Sequence, residues 1–128
     1  MKIVGIGVDI INNKRIKLSI KNKNFINRIF GKNEILISKK FKNKANFFSK
    51  RFAAKEALAK ALGKGFGNNL NFKDIEVIND KFGKPFYAKN KKITEIVQKN
   101  FKVKNFNCFL SISDDKDYST AFAIIQSV

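Results

Sequence analysis

The clearest structural signal in the chain is the stretch Arg51-Phe52-Ala53-Ala54-Lys55-Glu56-Ala57-Leu58-Ala59-Lys60-Ala61-Leu62-Gly63. Its alanines favour a helix, which we expect to run from about residue 45 to residue 62. The apolar stripe of this helix would consist of Phe48, Phe52, Ala59 and Leu62, which recur at helical spacing. A glycine directly after the last periodic residue is typical of a helix C-terminus, so Gly63 predicts where the helix ends.

Shorter predicted elements lie on both sides of this helix. Residues 2–9 are predicted to form a short buried strand that ends on Asp9, with Gly5 and Gly7 allowing another backbone to approach closely. Other helices are predicted at 12–20, at 25–30, at 33–40 with Asn33 as N-cap, and, as an amphipathic helix, at 91–101. Further strands are predicted at 75–78, 86–88, 107–113 and 118–126. This mixed order, without repeats or a proline-rich linker, indicates one α+β domain.

Charge is the most unusual feature of the composition. Lysine and arginine number 27 against 10 acidic residues, which gives a formal net charge of +17. Such a charge favours anionic partners, namely nucleic acid, anionic lipid, phosphorylated cofactors or an acidic protein. Only Arg15, Arg28 and Arg51 are arginines, and the lysines occur with many Asn, Ile and Phe residues, whose codons are also A/T-rich. Because genome composition can account for much of the excess, the charge alone is a weak argument.

The sequence lacks several features, and their absence limits the possible chemistry and cellular location of the protein. The chain contains no histidine, which excludes His-based triads, His-ligated zinc and imidazole proton shuttles. Its one cysteine, Cys108, cannot form an internal disulfide and is expected to be a small buried hydrophobic residue, which fits a reducing cytoplasm. Residues 1–9 lack the long apolar region of a signal peptide, and no apolar run approaches the roughly 18 residues of a membrane span.

Two acidic residues and a glycine-rich loop are the candidates for chemistry. Asp9 would present a carboxylate at a strand end, although a turn-forming or helix-capping aspartate is an equal explanation. Glu56 and Lys60 have the spacing of a surface ion pair on a helix. The loop 63–69 has glycines and Lys64 that suit a phosphate, but it follows a helix, so it is not a Walker loop and more simply marks a helix end. If Asp9 and Glu56 converge, their oxygens would suit one Mg²⁺ and chemistry on a phosphate ester or anhydride.

Longer motifs in the chain resemble those of a known enzyme family. Residues 5–9 are similar to the opening motif of the holo-acyl-carrier-protein synthases, and residues 51–63 resemble their second signature almost letter for letter. The similarity continues at Gly65, Gly67, 74–77, 79–80, 83–85, 110–113, Tyr118 and Ala121. The resemblance implies one phosphopantetheinyl transferase domain over residues 1–128. It implies the 4′-phosphopantetheinyl transferase fold of the short type, an α+β fold with an antiparallel sheet packed with one long central helix and shorter helices.

The resemblance also implies a reaction and a set of site residues. The family transfers 4′-phosphopantetheine from coenzyme A to a serine of apo-acyl carrier protein, with Mg²⁺, and releases adenosine 3′,5′-bisphosphate, in support of fatty acid biosynthesis. By motif, the catalytic residues are Asp9, Glu56 and Lys60, and the metal ligands are Asp9 and Glu56. The coenzyme A cleft is assigned to Arg51, Lys60, Gly63, Lys64, Pro85 and Ser113, and the carrier-protein contact to Arg15, Phe25 and Arg28. A cytoplasmic homotrimer with active sites between subunits is implied.

One position departs from the family pattern. After the Ser-Ile-Ser strand the family typically has a histidine near the bound coenzyme, where this chain has Asp114. A carboxylate there would repel phosphates unless it is protonated, turned away or recruited to the metal. This leaves open a non-catalytic relative that only binds the carrier protein, although the retained Asp9, Glu56 and Lys60 favour an enzyme.

Two other functions are less well supported by the sequence. A nucleic-acid-binding module would suit the charge of +17 and the 14 phenylalanines. However, the phenylalanines have core-like spacing and no nucleic-acid-binding motif is present, so we expect no nucleic-acid partner and no membrane partner. An acyltransferase with a covalent intermediate is disfavoured because no Cys or Ser has a plausible base partner.

Overall fold

The structure, a computed structural model, describes residues 1–67 and 69–128, so that Asn68 of the glycine-rich loop lies outside the described residues. The strands are β1 (Ile3–Asn12), β2 (Val77–Asn79), β3 (Pro85–Tyr87), β4 (Phe106–Asp114) and β5 (Tyr118–Ser127). The helices are α1 (Asn13–Ser19), α2 (Lys23–Ile29), α3 (Lys32–Ser38), α4 (Lys44–Leu62) and α5 (Lys91–Phe101), with a 3₁₀ turn at Phe72–Asp74. The predicted α+β class is confirmed. Across both described ranges, no helix combines the length and the apolar character that crossing a membrane requires.

Helix α4 is the central element, and local sequence sets both of its ends. The Asn43 side chain accepts a hydrogen bond from the Asn46 N–H (2.9 Å), and Gly63 adopts the left-handed conformation (φ 72°) that ends the helix. All four residues of the predicted apolar stripe are buried: Phe48, Phe52, Ala59 and Leu62. Since α4 also buries Arg51 and Lys55, the fold encloses more of this helix than the stripe alone.

Strands β1, β5 and β4 form an antiparallel sheet in that order, and α4 packs against one face of it. Two glycines in β1 make the close packing possible. A Cβ atom on Gly7 would overlap the carbonyl oxygen of Ala57, and one on Gly5 would overlap that of Ala61. The predicted close backbone approach at Gly5 and Gly7 is therefore confirmed, and it fixes where β1 crosses the helix.

β1 differs from its prediction in length and in burial. It continues past Asp9 to Asn12, because its pairing with β5 extends that far. Alternate side chains of a strand point to opposite faces, and the face turned away from α4 is uncovered in the single chain. We call this surface the open sheet face, and its apolar residues, each 41% to 64% exposed, are Ile6, Val8, Ile10, Phe109 and Phe122. The prediction of a buried strand is thus correct for one face and wrong for the other.

The short helices before α4 follow their predicted positions, with one correction. α3 begins at Lys32 with Gly31 as its N-cap, so the prediction of Asn33 as N-cap is wrong. The reason is Glu34, whose carboxylate turns back and accepts a hydrogen bond from the Gly31 N–H (3.1 Å). For α1 the expected boundary is confirmed, since the Asn12 side chain accepts a hydrogen bond from the first turn.

β2 and β3 form a separate two-stranded antiparallel sheet in which Asn79 lies opposite Pro85. β2 begins at Val77 and not at Ile75 as predicted, since Ile75 still belongs to the segment that leaves the 3₁₀ turn. The predicted amphipathic helix is α5, which buries Ile93, Ile96 and Val97. Cys108 is only half-buried in β4, so the prediction of a buried residue is correct only in part.

Candidate active site

Asp9, Glu56 and Lys60 lie together where β1 crosses α4. Because Gly7 rests against the backbone of α4, Asp9, two residues further along the strand, reaches the side chains of the same helix. Lys60 Nζ donates hydrogen bonds to Asp9 Oδ1 (3.2 Å) and to the carbonyl oxygen of Val8 (2.9 Å). Glu56 lies one helical turn before Lys60 and is close enough to feel the Asp9 charge. The structure therefore unites three residues whose convergence the sequence could not show.

Partial burial shapes the electrostatics of the acidic pair, Asp9 and Glu56. Burial raises the pKa of both carboxyls, and the neighbouring Asp9 charge raises the pKa of Glu56 further. Lys60 and Arg15 oppose these pKa shifts without cancelling them. The Asp9 side chain is 15% exposed and that of Lys60 is 55% exposed, so the ammonium group reaches solvent. Two adjacent, partly buried carboxylates of this kind favour the binding of a cation.

The oxygen donors of the acidic pair fit a magnesium ion. Mg²⁺ usually keeps several waters and is held by one or two carboxylates together with phosphate oxygens. Within residues 1–67 and 69–128, no group of three or more His, Cys, Asp or Glu side chains could hold a metal by itself. Asp9 and Glu56 would therefore provide the protein ligands, and water or a bound phosphate would complete the coordination.

Arg51 and Pro85, two of the predicted coenzyme residues, form a second group with Asn79, which we call the Arg51 group. Arg51 is buried, its Nη2 donates a hydrogen bond to Asn79 Oδ1 (2.6 Å), and its guanidinium lies 4.0 Å from the centroid of the Phe47 ring. The buried Nε of Arg51 has no hydrogen-bond partner in the described part of the chain. Asn79 was missed as a site residue, although it stands in one of the motifs that carry the family resemblance.

The acidic pair and the Arg51 group lie on different sides of α4. Arg51 and Glu56 are five residues apart in the helix, which places them about 140° apart around its axis. Gly63 and Lys64 lie at the C-terminal end of α4, and Lys64 lines a groove beside α5. Ser113 is exposed near the end of β4. The fold of one chain thus does not bring all predicted site residues to one place.

The three predicted carrier-protein contacts differ in their surroundings. Arg15 is exposed on α1, and its charge acts on both Asp9 and Glu56, so it lies near the acidic pair. Arg28 is exposed on α2. Phe25 is half-buried and stacks on Phe52 with 6.2 Å between ring centroids, so it also holds α2 against α4.

Asp114, the residue at the position of the family histidine, contacts the first turn of α4. Its Oδ2 accepts a hydrogen bond from Asn46 Nδ2 (2.7 Å). In the described residues it does not join Asp9 and Glu56 in a three-carboxylate cluster. The Asp114 carboxylate was expected to be protonated, turned away from the phosphates or recruited to the metal. The geometry favours a carboxylate that is turned away, since it faces the side-chain amide of Asn46.

The chain is similar to proteins of one family along almost its whole length. A profile of the 4′-phosphopantetheinyl transferase superfamily matches residues 5–123. The holo-[acyl-carrier-protein] synthase of Pelagibacter ubique is 62% identical over 126 residues, which cover 98% of each chain. The crystal structure of the Neisseria meningitidis holo-[acyl-carrier-protein] synthase matches with a TM-score of 0.86 and 34% identity over 98% of this chain and 100% of the other. That of the Bacillus anthracis synthase, in complex with CoA (3′,5′-ADP), matches with a TM-score of 0.81 and 37% identity over 98% of each chain. The chain therefore belongs to the 4′-phosphopantetheinyl transferase superfamily, as an enzyme of the holo-[acyl-carrier-protein] synthase family.

Proposed function

We propose that this enzyme transfers the 4′-phosphopantetheine group of coenzyme A to a serine hydroxyl of apo-acyl carrier protein, in a Mg²⁺-dependent reaction that supports fatty acid biosynthesis. The observation that carries this proposal is the convergence of Asp9, Glu56 and Lys60 at the crossing of β1 and α4. Two carboxylates and an ammonium group suit a pyrophosphate substrate that arrives with a divalent cation. The Bacillus anthracis relative in complex with CoA (3′,5′-ADP) supports coenzyme A as that substrate.

The residues of the site have separate tasks in this proposal. Asp9 and Glu56 would hold Mg²⁺, which, when bound, neutralises charge on the pyrophosphate and polarises its phosphorus–oxygen bonds. Lys60 directs hydrogen bonds to Asp9 and to the Val8 carbonyl oxygen. An ammonium group has three donor protons, so the third remains for a phosphate oxygen. The two internal hydrogen bonds orient Lys60 before the substrate binds.

The transfer itself exchanges one phosphorus–oxygen bond for another. The serine hydroxyl of the carrier protein passes its proton to solvent water, and its oxygen attacks the phosphorus that carries the pantetheine arm. A new oxygen–phosphorus bond forms while the bond to the bridging oxygen of the pyrophosphate breaks, and adenosine 3′,5′-bisphosphate departs with the electron pair. Lys60 stabilises the negative charge that grows on this leaving group.

We propose further that the enzyme is a homotrimer with its active sites between neighbouring subunits. The acidic pair and the Arg51 group lie on different sides of α4, and a second copy of the chain would be able to place its own Arg51 group beside the acidic pair of the first. The open sheet face is an apolar surface of the kind that subunit contacts cover. Val8→Lys would place a charge within this face and should give monomers in light scattering and reduced transfer. Leu36→Lys, at an exposed residue of α3, is the matched control, and an unchanged mass for Val8→Lys would exclude this face as the interface.

The charge of the chain supports an acidic carrier protein as the partner. Arg15 is exposed on α1 near the acidic pair, Arg28 is exposed on α2, and the chain as a whole carries +17. Opposite charges raise the rate of encounter, and added salt screens them. The KM for the carrier protein should therefore rise with ionic strength, and more weakly so in Arg15→Ala. We also propose a cytoplasmic location, which suits the single thiol of Cys108.

The test of the proposed function is the intact mass of apo-acyl carrier protein after incubation with the enzyme, coenzyme A and Mg²⁺. We expect the carrier to gain one phosphopantetheine, and a chelator to abolish the gain. Glu56→Gln should lower the rate by about 100-fold or more, because it replaces a carboxylate that would hold Mg²⁺ with a neutral amide. Glu95→Gln, at an exposed position of α5, makes the same chemical change elsewhere and should retain the wild-type rate.

The possible failures of this test have distinct meanings. A folded protein that binds coenzyme A and the carrier but transfers nothing would be a non-catalytic relative. A protein that binds neither would contradict the proposed reaction altogether. Loss of activity in Glu95→Gln equal to that in Glu56→Gln would show that the acidic pair has no special role.

A further inference from the structure

Helix α1 is short and is held in place by two buried side chains. It spans the seven residues Asn13–Ser19, and its buried residues are Asn13 and Ile16. A helix of two turns is not stable by itself in water, so its position depends on what these residues contact. Ile16 belongs to the hydrophobic core, whereas Asn13 is a polar residue at the start of the helix. The buried amide of Asn13 therefore holds α1 by something other than apolar packing.

The Asn13 side chain is bound on every side to the turn between β4 and β5. Its Nδ2 donates hydrogen bonds to the carbonyl oxygens of Asp115 (3.0 Å) and Lys116 (3.2 Å). Its Oδ1 accepts one from Ser119 Oγ (2.7 Å), and Ser119 is fully buried. We call these three side-chain bonds the Asn13 clamp. They need a group with two donors and an acceptor, which an amide has and a carboxylate or an apolar side chain lacks.

The turn has other hydrogen bonds that do not involve α1. Asp115 Oδ1 accepts one from the Tyr118 N–H (2.7 Å), and the Asp115 N–H donates to the Tyr118 carbonyl oxygen (2.9 Å). Asp114, at the start of the turn, is bound to Asn46 at the first turn of α4 (2.7 Å). The turn would therefore keep its shape without the Asn13 clamp, and loss of the clamp would mainly free α1.

Arg15 lies on the side of α1 opposite the clamp. Successive residues of a helix are about 100° apart around its axis, so Arg15 is about 200° from Asn13. Because the clamp turns Asn13 inward, it turns Arg15 outward, and Arg15 is indeed exposed. The charge of Arg15 acts on both Asp9 and Glu56, so the guanidinium lies near the acidic pair. The rotation of α1 that the clamp fixes thus also determines where Arg15 is presented.

We propose that Asn13 is a positioning residue that, through its clamp on the turn between β4 and β5, holds Arg15 where the carrier protein docks. The inference rests on the proposed function, in which Arg15 contacts the acidic carrier protein. Asn13 acts through Arg15 and not on a substrate. Loss of the clamp should therefore raise KM for the carrier protein and leave kcat and KM for coenzyme A close to their wild-type values.

The test is a double-mutant cycle on transfer kinetics, with KM for apo-acyl carrier protein measured in wild type, Asn13→Ala, Arg15→Ala and the double variant. Asn13→Ala should raise this KM by about three- to fivefold, as expected for the loss of one surface charge contact. Adding Asn13→Ala to Arg15→Ala should raise it no further, because the clamp then has no guanidinium to position.

Two further variants make the test specific to the clamp. Asn12→Ala is the matched control, since Asn12 caps the same helix by accepting a hydrogen bond from the Lys14 N–H (2.8 Å) but is not part of the clamp. It should keep the wild-type KM for the carrier protein. Ser119→Ala removes one bond of the clamp and leaves the two from Asn13 Nδ2, so it should raise this KM by less than Asn13→Ala. If Asn13→Ala does not fold, Ser119→Ala takes its place in the cycle.

Three results would overturn the inference. One is an unchanged KM for the carrier protein in a clamp variant or in Arg15→Ala, even if the clamp variant is less stable in urea. Another is additive effects in the cycle, which would show that Asn13 does not act through Arg15. The third is an equal rise of KM in Asn12→Ala, which would assign the effect to the order of α1 and not to the clamp. Failure of the proposed function looks different, since wild type itself would then transfer no phosphopantetheine.

Discussion

Replacing Lys55 by methionine would remove the charge from a side chain that the fold encloses completely. Lys55 Nζ lies 2.7 Å from Glu34 Oε1, and the two side chains are 0% and 1% exposed. Lys55 also donates hydrogen bonds to the carbonyl oxygens of Phe72 (3.0 Å) and Ile75. Burial lowers the pKa of Lys55, and the Glu34 charge opposes that shift. The pair thus joins α3, α4 and the segment after the 3₁₀ turn.

The expected cost follows from what Lys55→Met leaves behind. Glu34 would keep its hydrogen bonds from the N–H groups of Gly31 (3.1 Å) and Val77 (3.2 Å), but it would lose its ion-pair partner and keep only the charge interaction with buried Arg51. Breaking a buried ion pair on one side typically costs about 3–5 kcal/mol. A domain of this size has about 5–15 kcal/mol of stability in total. We therefore expect Lys55→Met to lose about 3–5 kcal/mol in its free energy of unfolding.

Urea unfolding followed by far-UV circular dichroism measures this loss, at one fixed protein concentration because the proposed subunit association would also contribute to stability. Lys92→Met is the matched control, since Lys92 forms an ion pair of 3.0 Å with Asp74 but the two side chains are 36% and 22% exposed. Exposed pairs of this kind contribute about 0.2–1 kcal/mol. The double variant Glu34→Gln/Lys55→Met should recover part of the stability, because it leaves no uncompensated charge.

Two results would refute this reasoning. If Lys55→Met loses no more free energy of unfolding than Lys92→Met, burial is not what gives the Glu34–Lys55 pair its importance. If the double variant is less stable than Lys55→Met alone, the uncompensated Glu34 charge is not the source of the loss.

Three further predictions concern a glycine, the cysteine and the residue at the histidine position. Gly7→Ala should lose about 1–3 kcal/mol in its free energy of unfolding in urea and should transfer phosphopantetheine more slowly, because the added Cβ overlaps a carbonyl oxygen of α4. The control is Gly65→Ala, where a Cβ meets no atom within 4 Å, and it should change neither the stability nor the transfer rate. Burial raises the pKa of Cys108 to about 11, so the thiol is protonated at pH 8. A disulfide reagent should therefore modify the native protein slowly at pH 8 and faster as the pH approaches 11. In urea, which exposes the thiol, the modification should be fast. Fast native modification at pH 8 would contradict that assignment. Asp114→Asn keeps an acceptor for Asn46 and should change KM for coenzyme A by less than about threefold, and a large fall in KM would show that the carboxylate faces the phosphates instead.

Local sequence determined much of the fold of this protein. The alanines of α4, the Asn43 cap and the Gly63 stop act within a few residues of one another, so the helix could be predicted almost to the residue. The glycines of β1 likewise indicated a close backbone approach before any partner was known. The motifs in 5–9 and 51–63 also identified the family, because their order and spacing are properties of the sequence itself.

The site required the tertiary structure. Lys60 and Asp9 are 51 positions apart, and only the packing of β1 on α4 brings them within 3.2 Å. The N-cap of α3 was predicted wrongly because it depends on where the Glu34 carboxylate turns, and Glu34 is held by Lys55, 21 positions away in the sequence numbering.

The same division explains the two surfaces that the sequence did not reveal. Alternation along β1 shows which residues share a face, but not that α4 covers one face and leaves Val8 in solvent. The helical repeat places Arg51 and Glu56 on different sides of α4, but only the folded chain shows what each side contacts. Sequence by itself determined the elements, their ends and the family, because those depend on neighbouring residues. The tertiary structure alone decided which charges meet and which apolar face remains open, because those depend on contacts between distant segments.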